Sequence, residues 1–141
     1  DTEIYRIVCR LFAEHFTRYL LGWDLYTLDN DVNKALAMMT ERAAPKMVRR
    51  LDAMEAEGFT KRQALRTSIQ LTEIQVEKDT PELVRVMLRG TRTYSSYTDK
   101  DYRKEKTFEY TFVARKVARG VKTPWGLLVD DWEESIYKET P

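Results

Sequence analysis

"KTPWGLLVDDWEES", residues 122–135, is the stretch whose reading decides the fold. Pro124 and Gly126 flank Trp125, and an apolar run at 127–129 follows before the chain turns acidic at Asp130. Proline at the second position of a four-residue turn sets φ near −65°, and a tryptophan at the third disfavours positive φ. Residues 123–126 are therefore expected as a type I turn with Gly126 fourth, leading into a final strand at 127–132.

The same alternation extends backwards from that turn. Phe108, Tyr110, Phe112 and Ala114 alternate with Glu109, Thr111 and Arg115, and the polar reversal "SYTDKDYRK" precedes them. Val84, Val86, Leu88 and Gly90 alternate with Arg85, Met87, Arg89 and Thr91 behind the turn "EKDTPE". A period of two over such runs reads as half-buried strands. In the earliest strand, beginning after about Arg66, Ile69 and Leu71 share one parity while Ile74 and Val76 share the other. A switch of buried parity inside one strand predicts a bulge, here near Thr72 and Glu73. Residues 66–134 are thus expected as four sequential antiparallel strands with one wet face.

The first half of the chain has a helical period instead. From Ile4 to about Tyr26, Ile4, Val8, Leu11, His15 and Tyr19 recur three or four apart, with Gly22 placed to kink or end the first part. Tyr5, Phe12, Phe16, Leu20 and Trp23 widen that stripe beyond one packing face, so part of it is expected to stay exposed as a contact surface. "LDNDVNKALAMM" offers Asp29, Asn30 or Asp31 as the cap of a second helix. Pro45 suits the first turn of a third, lined by Met47, Leu51 and Met54, with Gly58 placed to end it. Three helices followed by a four-stranded antiparallel sheet make an α+β protein with its helices on one face of the sheet.

Composition narrows the function classes. The chain has 141 residues, enough for one domain, and a net charge of +1, which gives no global field for nucleic acid. Residues 82–122 do hold eleven basic against five acidic side chains, with Tyr94, Tyr97 and Tyr102 interleaved. This reads as a polar sheet face balanced by the acidic tail, and nucleic-acid binding is not expected. The lone Cys9 cannot form an internal disulfide. No apolar run reaches the roughly 18 residues of a membrane span. The helical pattern starts within about three residues of Asp1, which reads as a piece cut from a longer protein. His15 is the only histidine and falls at the edge of a helical stripe, away from any catalytic or metal-binding motif. The carboxylates Asp130, Asp131, Glu133 and Glu134 read as solvated surface. No catalytic, metal or cofactor residue is assigned.

The order of these elements resembles the nuclear transport factor 2-like cone, in which three helices pack on a bent four-stranded sheet. "TPWGLLVDDWEE" is similar to the Asn-Pro-x-Gly segment and following strand in the periplasmic domain of the eighth VirB component of type IV secretion systems. The TraE-type conjugation proteins are the related branch. Pro124 and Gly126 match the motif, and Thr123 stands where that family prefers Asn. The resemblance covers nearly the whole chain, from about Ile4 to Glu134. It implies a non-enzymatic assembly factor in the periplasm, joined to the inner membrane by an N-terminal helix outside this chain. No cofactor comes with it. Its implied partners are other channel subunits and further copies of itself, as a weak homodimer or higher homo-oligomer. A small-molecule-binding protein or an isomerase or dehydratase of the same cone fold is the alternative.

The candidate contact residues are Tyr5, Phe12, Phe16 and Tyr19 on the first helix, and Thr123, Pro124, Trp125 and Gly126 at the turn. Two readings of the indole stay open: packing on its own domain, or docking a partner. The acidic run after Val129 places the turn at a polar rim and favours the partner.

Overall fold

In the computed structural model, residues 2–51 and 64–139 are described. Helix α1 spans Thr2–Leu21, α2 Leu28–Ala37 and α3 Ala44–Leu51; strands β1 (Leu65–Asp79), β2 (Leu83–Ser96), β3 (Arg103–Lys116) and β4 (Leu127–Glu139) follow. The strands pair in the order β1-β2-β3-β4, all antiparallel, as the alternation predicted.

Helix α1 buries Cys9, Phe12, Ala13, Phe16, Thr17 and Leu20, a stripe at three- and four-residue spacing. It ends just before Gly22, one of the two expected outcomes there, and short of the outer limit near Tyr26. Gly22 follows the last helical residue, its amide donating to the Arg18 carbonyl at 2.8 Å. The chain then joins the sheet. Thr67 donates to the Trp23 carbonyl (2.6 Å), Leu25 donates to the Leu65 carbonyl (3.1 Å), and Asp24 bridges to Arg66. Trp23, read from sequence as helical, is therefore anchored beside the start of β1, fully buried.

The start of α2 also differs from expectation. Its cap position is Thr27, ahead of all three candidates. The Asp24 carboxylate accepts from the amides of Tyr26 (2.7 Å) and Thr27 (2.9 Å), and Thr27 Oγ1 donates to Asp31 Oδ2 (2.8 Å). A preceding aspartate thus stabilises the loop one turn before the sequence signal, because that loop is already fixed against β1. Pro45 lies in the first turn of α3 as expected, and Met47 below it is fully buried. Met54 and Gly58 lie outside the described residues.

The bulge forecast for β1 is present. The register with β2 shifts between Leu71 and Glu73, leaving Thr72 out of the ladder with its hydroxyl on the Arg89 carbonyl (3.2 Å). A second shift falls between Val76 and Lys78. Strand β4 has a shift of its own: Ala114 faces Val129 while Val113 faces Asp131, so Asp130 is the extra residue. That insertion lets Leu127, Val129 and Trp132 all point inward despite their uneven spacing.

The inner face of the sheet presents Val84, Val86, Leu88, Phe108, Tyr110, Phe112 and Ala114, all buried against α1. Phe112 meets the edges of Phe12 (5.9 Å between ring centroids) and Phe16 (5.7 Å), and Phe16 also meets Trp132 at 6.4 Å. Edge-on aromatic contacts of this kind add to the burial of their area. The outer face is a lattice of ion pairs instead, with Arg89 between Glu73 (3.0 Å) and Glu109 (2.5 Å) and Arg85 on Glu77 (3.3 Å).

Candidate protein-interaction surface

The turn is built as its sequence demands. The Gly126 amide donates to the Thr123 carbonyl at 3.1 Å, closing the four-residue turn, and Trp125 keeps a negative φ. Gly126 itself has φ +69°, a conformation that β-carbon-bearing residues resist. Around the turn, Thr123 Oγ1 donates to the Ala118 carbonyl (2.6 Å), and Val117 donates to the Gly126 carbonyl (3.0 Å). Thr123 thus bonds the loop backbone through its side chain.

From this turn the indole of Trp125 leans onto α1. Its centroid lies 5.3 Å from the His15 ring, His15 in turn stacks on Tyr19 at 6.3 Å, and the Lys34 ammonium lies 5.3 Å from the centre of Tyr19. Trp125 is half-buried, as are Thr123 and Gly126, while Pro124 is exposed. The single histidine is thus part of an aromatic row joining the turn, α1 and α2. Beside it, Leu36, Met38 and Met39 at the end of α2 and Pro124, Trp125 and Leu127 line an apolar groove of about 670 Å³. Val121, at the far side of the loop, is fully exposed.

On α1 the candidate residues separate. Phe12 and Phe16 have no exposed surface, so neither is available to a partner; the wide sequence stripe contained the core face and the outer face together. Tyr5 and Tyr19 are half-buried. The accessible apolar surface is Ile4 (60% exposed), Ile7 (56%) and Leu11 (40%), a row on the side of α1 opposite Phe16. Ile7 was missed by the sequence reading although the 4-7-11 spacing contains it.

The charged clusters find internal partners. Arg42, Lys46 and Arg50, four residues apart, meet Asp130 (3.5 Å), Asp131 (3.0 Å) and Glu134 (2.8 Å) respectively. Lys46 also donates to the Trp132 carbonyl. This contact holds the Asp131 carboxyl below its ordinary value: burial pushes it up, but the Lys46 ammonium and the Trp132 amide outweigh that. The acidic run after the turn therefore docks the α3 segment onto β4. In the basic stretch, Arg92 proves fully buried rather than superficial, its guanidinium donating to the Leu21 carbonyl (2.6 Å) and the Tyr94 hydroxyl (2.7 Å). Among the described residues no group of three or more His, Cys, Asp and Glu is placed to hold a metal ion. No helix among them is long and apolar enough to cross a membrane.

No protein-family model matches the sequence, and no curated protein matches it. Solved structures do match. The VirB8 protein of Agrobacterium tumefaciens superposes with a TM-score of 0.74 at 14% identity, over 97% of this chain and 94% of that one. An IcmL-like type IV secretion system protein from Legionella pneumophila gives 0.75 at 12% identity, over 93% and 91%. The periplasmic domain of DotI gives 0.71 at 11% identity, over 89% and 91%. Three helices among the described residues on an open antiparallel sheet of four strands, in this order and over nearly the full length of each neighbour, give this chain the VirB8-like fold of type IV secretion periplasmic domains.

Proposed function

We propose that this chain is a periplasmic assembly module of a bacterial type IV secretion or conjugation apparatus, held at the inner membrane by a segment preceding it and acting through protein contacts. The observation that carries the reading is end-to-end likeness to VirB8 together with an apolar row, Ile4, Ile7 and Leu11, left uncovered on α1. An exposed row at helical spacing suits docking of another helix, either from a second copy or from a neighbouring channel subunit. The turn at 123–126 is the second contact element of this reading, presenting Pro124 and the outer edge of Trp125. An enzymatic role is less well supported, because His15 is engaged with two aromatic rings rather than with a carboxylate.

A photo-cross-linking amino acid placed at Ile7 in the membrane-anchored full protein tests this reading. The expected products join the chain to itself or to other secretion subunits. Absence of both, with the protein present at normal level, would refute it.

A further inference from the structure

A cavity separate from the turn lies between the first three turns of α1 and the second half of β1. It encloses about 460 Å³, within the range of small-molecule sites. Its apolar wall is made by Cys9, Ile74, Val76 and Val84, and its polar groups come from Tyr5, Arg6, Arg10 and Asp79.

Three features of that lining point to one chemistry. The Tyr5 hydroxyl is buried and faces the Lys116 ammonium, itself 4.7 Å from the ring centre; an ammonium can only donate to it, so the phenol's own O–H has no acceptor. A buried hydroxyl without an acceptor is rare in folded proteins, and water, an ion or a bound molecule normally satisfies it. Arg6 has no ion-pair partner among the described residues, and Arg10 has only a loose 3.8 Å contact with Glu14. The one acid in the lining, Asp79, is already neutralised by Lys116 at 2.5 Å. What remains is an apolar wall with two guanidinium groups and one free donor.

We infer that this cavity binds a small amphipathic carboxylate, its chain along Ile74, Val76 and Val84 and its carboxylate held by Arg6 and Arg10, with the Tyr5 hydroxyl donating to it. Arginine suits this role because its planar donors match a carboxylate. The wall is poor in water: burial pushes the Cys9 thiol up to about 11 and raises the Tyr5 phenol as well. An inorganic anion alone would leave the apolar wall uncovered, and an uncharged chain would leave the two guanidiniums unused.

Decanoate, kept below its micelle concentration, is the probe, titrated into the isotope-labelled chain and followed residue by residue by heteronuclear NMR. Saturable shifts confined to the start of α1 and the second half of β1 are expected. Decanol should bind at least about tenfold more weakly, and the Arg6→Ala/Arg10→Ala double variant should lose a similar factor, as expected for hydrogen bonds to a charged group. Val76→Trp at the half-exposed rim should block binding while the melting temperature stays near that of the parent. Shifts that do not saturate, that spread over the surface, or that persist unchanged with decanol or in the Val76→Trp variant would overturn the assignment. None of these results depends on the secretion reading, since all concern the isolated chain.

Discussion

The indole of Trp125 and the imidazole of His15 lie 5.3 Å apart, ring centre to ring centre, tilted by 38°. This contact ties the turn before β4 to the middle of α1, 110 positions away in sequence. It makes Trp125 at least partly a packing residue of its own fold. Complete truncation of a buried tryptophan costs about 3–5 kcal/mol, and for a half-buried one about 2 kcal/mol is the corresponding expectation for Trp125→Ala. Urea denaturation of the isolated chain measures it. A double-mutant cycle with His15→Ala should return a coupling of about 0.5–1.5 kcal/mol. Unchanged stability in both variants would mean that the ring contact contributes nothing.

Two glycines should respond differently to alanine. Gly126 holds φ +69°, and an added Cβ would sit 3.2 Å from Arg119 Cγ and 3.3 Å from the Val117 carbonyl. The left-handed conformation alone costs about 1–2 kcal/mol, and the arginine stem can yield. At Gly90 the added Cβ would run into the backbone carbonyl of Gln70 and sit 2.8 Å from Phe108 Cζ, between two paired strands. Backbone cannot move aside there without breaking the ladder, so Gly90→Ala should cost about 3 kcal/mol or more. Thermal melts should rank Gly90→Ala as the more damaging; the reverse order would contradict the packing described around both.

The two faces of α1 can be separated by substitution. Phe12→Ala removes a fully buried ring in contact with Phe112 and should cost about 3–5 kcal/mol. Ile7→Glu and Leu11→Glu, on the opposite face, should change stability by about 0.5 kcal/mol or less. They should nevertheless weaken any self-association seen by sedimentation velocity. Loss of stability from the outer-face changes would show that those residues are packed in the folded chain.

Cys9 gives a pH-dependent readout. Burial raises its thiol from 9.0 to about 11, Asp79 adding to the shift and Lys116 opposing it. At pH 8 the folded chain should therefore be alkylated roughly a hundredfold more slowly than the urea-unfolded chain, because only the thiolate reacts. The folded value lies above the unfolded one. Its contribution to stability is then fully present below about pH 9 and is lost as the pH rises through about 11. Equal alkylation rates in the two states would place the thiol in solvent.

The amino-acid sequence alone was enough for the four strands, their order and the first bulge. A period of two and its parity switch at Thr72 are local signals, written in neighbouring residues. It also specified the turn, since Pro124 and Gly126 restrict the backbone directly. Gly22 offered the end of α1, but whether it kinked or ended the helix, and how α2 begins, were decided elsewhere, by the pairing of residues 23–25 with the start of β1, a contact across some forty residues of chain. Tertiary structure likewise sorted the first helix. Its stripe held both faces at once, and only the docked sheet could assign Phe12 and Phe16 to the core and leave Ile4, Ile7 and Leu11 outside. The same holds for charge. Arg92 and Arg103 look alike in a linear reading, yet Arg92 faces the core to bond the last carbonyl of α1, whereas Arg103 stays exposed. Burial and pairing are properties of residues brought together from distant parts of the chain, and no local pattern contains them.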